Sequence, residues 1–155
     1  MKTENYSITK IIFRNLWLGA LGGVAGGVPM GLMMGMNGFL PTVGSLIGIP
    51  NVTAGFIVHM FISVAVGVLY GHFAPIFSQT WKSTTIAGMV YGIIWWVLGA
   101  LIAMPFLLGT PLFFIGIGQW MSLMGHIMYT VIMALVFKAL YARGQTLTVS
   151  SVASS

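Results

Sequence analysis

Four runs of apolar residues, at about 16–36, 52–73, 84–106 and 120–140, divide the chain, separated by Pro, Asn, Gln or Lys. An α-helix rises 1.5 Å per residue and a bilayer core is about 30 Å thick, so roughly 20 apolar residues make one crossing. The pattern predicts an all-α integral membrane protein with four transmembrane helices. Together with polar tails at 1–15 and 141–155 they form a single membrane domain over 1–155, and the Ser- and Thr-rich second tail is expected to be disordered. Lys10 and Arg14 ahead of the first run, with small residues at 20–25, imitate a signal peptide. The run continues too far for a removed segment, so it is taken as a retained first span.

The two halves are alike at low identity. A shift of 67 lays Gly55, His59, Ser63, Gly67 and Tyr70 on Ser122, His126, Thr130, Ala134 and Phe137; a shift of 68 lays Gly31, Met36, Leu40 and Thr42 on Gly99, Met104, Leu108 and Thr110. Two similar helical hairpins, a parallel pseudo-repeat about an axis along the membrane normal, are therefore expected. Glycines recur every fourth position at Gly19, Gly23, Gly27, Gly31 and Gly35, with Gly22 and Gly26 alongside. Such stripes let helix backbones approach closely in lipid, where packing replaces the hydrophobic drive. The stripe Gly55, His59, Ser63, Gly67 and Gly71 is a second, Ser122, His126, Thr130 and Ala134 a third, and Gly88, Gly92 and Ala100 mark the third span. A compact four-helix bundle follows, with glycine-lined helices around a narrow pore as the competing reading.

Only 5% of the residues are charged, against roughly a quarter in a soluble domain. That gap makes lipid the solvent for most of the surface. The six basic residues, Lys2, Lys10, Arg14, Lys82, Lys138 and Arg143, stand singly, so nucleic acid is not an expected partner. Four spans with cytoplasmic N- and C-termini put all six inside, while the connections 37–51 and 107–119 carry no charge. Those outer connections are apolar enough to fold over the bundle or re-enter the bilayer. The partners expected are the bilayer itself and either further copies of the chain or other membrane subunits.

His59 and His126 are the first candidates for chemistry, since each lies about two turns inside the outer end of its helix. Paired imidazoles can hold a haem iron axially, share a copper or zinc ion, gate a path, or serve as packing groups. Met30, Met33, Met34 and Met36 cluster at the outer end of the first helix, and Met104, Met121 and Met124 lie at corresponding depth. Thioethers are soft ligands suited to Cu(I), as well as flexible core filler. The candidate cofactor ligands are thus His59 and His126, and the candidate metal set is His59, His126, Met33, Met36 and Met104, with haem or copper as alternatives to no cofactor. Trp95 and Trp96 sit mid-span, where one indole is expected to face the bundle and could stack on a cofactor. Asn51-Val-Thr53 matches a glycosylation sequon.

Absences limit the function further. No Asp or Glu follows Glu4, so no carboxylate is present to bind a hard cation, relay protons or act as a general acid or base. There is no cysteine, and no serine or threonine stands in a His–Asp arrangement. An enzyme is not expected.

Gly125-His-Ile-Met-Tyr129, with Trp95-Trp96 and Met104-Pro105 before it, resembles small uncharacterised prokaryotic inner-membrane proteins of the YagU type. The resemblance covers two short segments of the second half. It implies a multi-pass inner-membrane location and carries over neither chemistry nor functional residues. The expected role is a non-catalytic accessory, assembly or interaction component of a membrane complex. The alternatives are a haem- or copper-binding membrane protein using His59 and His126, and a small pore or carrier for a neutral or anionic solute.

Overall fold

The computed structural model describes the backbone of residues 2–77 and 80–153, and the side chains of 9–76 and 80–144. The elements in chain order are α1 (Lys2–Met36), α2 (Leu40–Gly44), a 3₁₀ turn (Ser45–Ile47), α3 (Val52–Phe77), α4 (Trp81–Trp95), a π-helical segment (Trp96–Ala103), α5 (Met104–Leu108) and α6 (Ile117–Ala153). No strand occurs among the described residues. Four stretches are long and apolar enough to cross a membrane: Thr9–Met36, Val52–Ile76, Trp81–Leu108 and Ile117–Gly144. The protein is a multi-pass membrane protein of four helices.

Each span is longer than its apolar run because polar residues beside the run do not by themselves break a helix. The tail expected to be disordered is helical as far as Ala153, with residues 154 and 155 outside the described residues. Side chains stop the other ends. Thr80 and Ser83 form a reciprocal capping box at the start of α4, with Ser83 N donating to Thr80 Oγ1 at 3.1 Å and Thr80 N to Ser83 Oγ at 2.9 Å. Asn51 of the sequon caps α3 by accepting from Ala54 N at 2.8 Å.

The helices pack in the order α3, α1, α6, α4, with α3 and α4 meeting only lightly. Glycine sets the first contacts. A Cβ added at Gly19 or Gly67 would fall on the carbonyl of the other, and one at Gly71 on the Asn15 carbonyl, so α1 and α3 touch backbone to backbone. Gly22 and Gly26 admit the Met133 and Tyr129 backbone of α6 in the same way. Gly88 and Gly92 seat α4 on α6 near Thr130.

The fourth edge of the bundle is aromatic. Tyr91 on α4 donates to the Val66 carbonyl of α3 at 2.9 Å and packs on Tyr70 at 5.4 Å. Tyr70 meets Phe137 of α6 edge to face at 5.7 Å, so two residues related by the shift of 67 touch in the core. The halves are used unequally elsewhere. Gly22 and Gly26 are buried against α6, whereas their counterparts at a shift of 68, Val90 and Ile94, are about half exposed. At those two positions α4 carries branched side chains where α1 carries glycine, and α4 meets α3 only lightly.

Tyr129 ties α6 to α3 across the centre, its hydroxyl donating to the Ser63 carbonyl at 2.6 Å from a buried position. Tyr129→Phe is expected to lower stability by about 1 kcal/mol, the usual net worth of one such bond. A thermal midpoint in mild detergent equal to that of the parent protein would show that this bond contributes nothing.

The connection 37–51 folds over the bundle. α2 lies on α3 with Leu40 and Val43 buried, and Gly55 is needed there because a Cβ would strike the Leu40 carbonyl. Connection 109–116 turns back through Phe113, whose N–H donates to the Leu101 carbonyl at 3.1 Å from a left-handed backbone (φ 54°). The side chains of Leu112, Phe113, Phe114 and Ile115 are all exposed.

Candidate functional site

One cavity of about 240 Å³ lies near the loop-covered end of the bundle, and side chains from every span line it. α1 contributes Met30, Met33, Met34 and Asn37. Their i, i+3, i+4, i+7 spacing is one face of a helix. His59 and Ile62 come from α3, Gly99 and Ala100 from the π segment, Met104 from the start of α5, and Gln119, Met121, Ser122 and His126 from α6. Phe39, Thr42 and Val43 of the α2 connection close the top. Asn37 and Thr42 are exposed, so the cavity reaches the surface there. The ring of Phe39 lies over Gly118, about 3.7 Å from where a Cβ would stand.

The glycine stripe of α1 serves the site as well as the packing. Above Gly27 its role changes from backbone contact to a slot for side chains. A Cβ at Gly31 would stand 3.0 Å from Cδ2 of His59, so the imidazole lies across the stripe. Its Nε2 is 2.9 Å from the Gly27 carbonyl. A carbonyl only accepts, so Nε2 carries the proton and donates it. The Cδ2–Nε2 edge thus faces α1, and the opposite edge, with Nδ1, turns away from it.

His126 uses the other nitrogen. Its Nδ1 is 2.8 Å from the Ser122 carbonyl one turn back and donates to it, so in the neutral ring Nε2 is the unprotonated nitrogen. In its neutral form each ring then keeps one lone-pair nitrogen, Nδ1 of His59 and Nε2 of His126. The serine hydroxyls beside them, Ser63 Oγ and Ser122 Oγ, are each 3.4 Å from the nitrogen that is already donating. A protonated nitrogen cannot take a hydroxyl proton, so neither Ser–His pair is an activated nucleophile.

The sequence candidates separate cleanly. His59, His126, Met33 and Met104 line this one cavity, and Met36 does not. Met36 is one residue before Asn37, about 100° round the helix. It is 89% exposed and belongs to a separate, open groove between α1 and the start of α3, with Leu32, Leu40 and Phe56. Met124 is likewise exposed, while Met30, Met34 and Met121 join the lining. The indoles lie outside it. Trp96 is the buried one, donating to the Gln119 carbonyl at 3.0 Å and stacking on Trp120, and Trp95 packs on Tyr91.

Haem does not fit. Pockets for drug-sized ligands run from about 300 Å³ upward, and this one has about 240 Å³ with no Lys or Arg in its lining to meet the propionates. Sequence reasoning missed Phe39, Thr42 and Gln119, whose only signal is proximity to the ends of spans. It also missed the widened helix at Trp96–Ala103, which brings Gly99 and Ala100 to the wall.

Against this geometry, comparison with known proteins adds no relative: the chain matches no family, no curated protein and no solved structure.

Proposed function

We propose that the protein is a non-catalytic binding protein of a prokaryotic inner membrane, with both termini in the cytoplasm, that holds a small ligand in an outward-facing chamber. The supporting observation is the convergence of two imidazoles and five methionines from four spans on one cavity that reaches the surface beside Asn37 and Thr42. Packing alone does not require a void there, because close-packed interiors leave few spaces larger than one water. The orientation rests on the charge pattern, with every Lys and Arg at the end away from the chamber. The inner-membrane location follows the YagU-type resemblance of Gly125–Tyr129. The absence of a carboxylate beyond Glu4 and of an activated nucleophile supports the lack of catalysis.

The chain has no cysteine, so any introduced thiol is the sole one. Ser122→Cys in the chamber is expected to react with a small membrane-impermeant thiol reagent added to the outer face of spheroplasts, while Thr130→Cys, fully buried, stays unlabelled. Equal inertness of the two would end the chamber reading. Labelling of Ser122→Cys only from the cytoplasmic side of inverted vesicles would reverse the orientation.

A role within a larger membrane assembly stands on a different feature, the exposed Leu112, Phe113, Phe114 and Ile115 of the connection 109–116. An uncharged aromatic loop of that kind suits the headgroup boundary or a neighbouring subunit, including a second copy. The two roles are compatible, since no residue of the connection 109–116 lines the chamber.

A further inference from the structure

Resting on the chamber reading, we infer that the ligand is a soft monovalent metal ion, Cu(I), held by His59 Nδ1 and His126 Nε2 with the thioethers of Met33 and Met104. Four arguments carry it. The first is the state of the imidazoles. Both backbone hydrogen bonds fix the tautomer, with the proton on the nitrogen that faces a carbonyl, so each neutral ring keeps a lone pair on its other nitrogen for a metal. A carbonyl that takes the other ring proton and so fixes the tautomer is the usual companion of a metal-binding histidine.

The second argument is placement. Met33 reaches across to α6 at the residue next to His126, where a Cβ on Gly125 would lie 2.6 Å from its methyl carbon. Gly125 therefore leaves room for a thioether beside the imidazole. Met104 enters from the opposite wall, at the end of the π segment.

The third is softness. Apart from the imidazoles the soft donors in the lining are thioether sulfurs, which select Cu(I) over hard cations, and the oxygens beside them, from Asn37, Thr42, Gln119 and Ser122, are all neutral. No group of three or more His, Cys, Asp or Glu side chains occurs among the described residues, so a Zn(II) site of ordinary composition is not available there.

The fourth is charge. No ionised side chain lines the cavity, so the ion's charge is met only by neutral dipoles and lone pairs. Born energy rises with the square of the charge, and a divalent ion would cost about four times as much as a monovalent one to desolvate here.

The test is anaerobic titration of the detergent-purified protein with ascorbate-reduced copper against a chromogenic Cu(I) chelator. One Cu(I) per chain is expected, with nitrogen and sulfur scatterers in the copper X-ray absorption spectrum. Loss of an outer-shell partner alone costs 10–100-fold in metal affinity, so His126→Ala should weaken binding by more than about 100-fold. That variant keeps the bundle intact because His126 bonds only within its own helix. Met33→Leu with Met104→Leu preserves shape and should weaken Cu(I) by at least about tenfold while removing the sulfur scattering. No Cu(I) bound above the His126→Ala level would overturn the inference, and so would binding unchanged in the methionine variant or Zn(II) bound as tightly as Cu(I). In each case Ser122→Cys labelling decides separately whether the chamber itself survives.

Discussion

Gly67→Ala is expected to destabilise the protein by about 3 kcal/mol, the upper end for overpacking a well-packed interior. The new methyl group would fall on the Gly19 carbonyl and stand 2.8 Å from Gly23 Cα and 2.9 Å from Gly23 N. All three are backbone atoms of a continuous helix, so no side chain can rotate away. The only relief is to move α1 from α3, which loosens contacts along the whole seam from Asn15 to Ser63. Alanine is the better helix former by up to about 1 kcal/mol, and the clash must exceed that gain. Gly99→Ala is the matched control, since a Cβ there meets nothing within 4 Å. The pair can be compared by thermal unfolding in mild detergent. Similar midpoints would mean that α1 and α3 do not meet in the register described.

Gly99→Leu should act on the site instead of the fold. Gly99 lies in the chamber wall with open space before it, so a leucine side chain would enter the cavity without striking the backbone. Labelling of Ser122→Cys is expected to fall by roughly tenfold or more as exposure of the thiol is lost, while the thermal midpoint stays near that of Gly99→Ala. Undiminished labelling would place the route to Ser122 elsewhere than past Gly99. A large fall in stability would show that the wall is not open at this point.

Much of the architecture was legible in the sequence because lipid imposes strong rules. Twenty apolar residues mark a span whatever their order, and glycine every fourth residue marks a face that another helix can approach. The stripe on α1 therefore announced a close-contact face, while the helices that fill it, α3 at Gly19 and Gly23 and α6 at Gly22 and Gly26, are not named by it. Similar register in two similar segments suggested a similar depth for His59 and His126, and both line the one cavity. Other features depend on three-dimensional detail. Met33 and Met36 look alike in sequence, but Asn37, not Met36, shares the face of Met30, Met33 and Met34. The shift of 68 sets Val90 and Ile94 against Gly22 and Gly26, and only the glycines are buried in a helix contact, a difference that the alignment of the segments does not foretell. Nothing in Trp96–Ala103 distinguishes a π-helix from an α-helix, because both satisfy every amide within the segment and both suit an apolar composition.

That segment has a consequence for how the chamber is specified. An α-helix advances about 100° per residue, and a wider turn advances less, so a π segment delays the phase of everything after it. Met104 points where it does because eight residues upstream were wound loosely. The chamber wall is in this respect a matter of timing along the helix: the identity of Met104 supplies the sulfur, and the winding of Trp96–Ala103 supplies its direction.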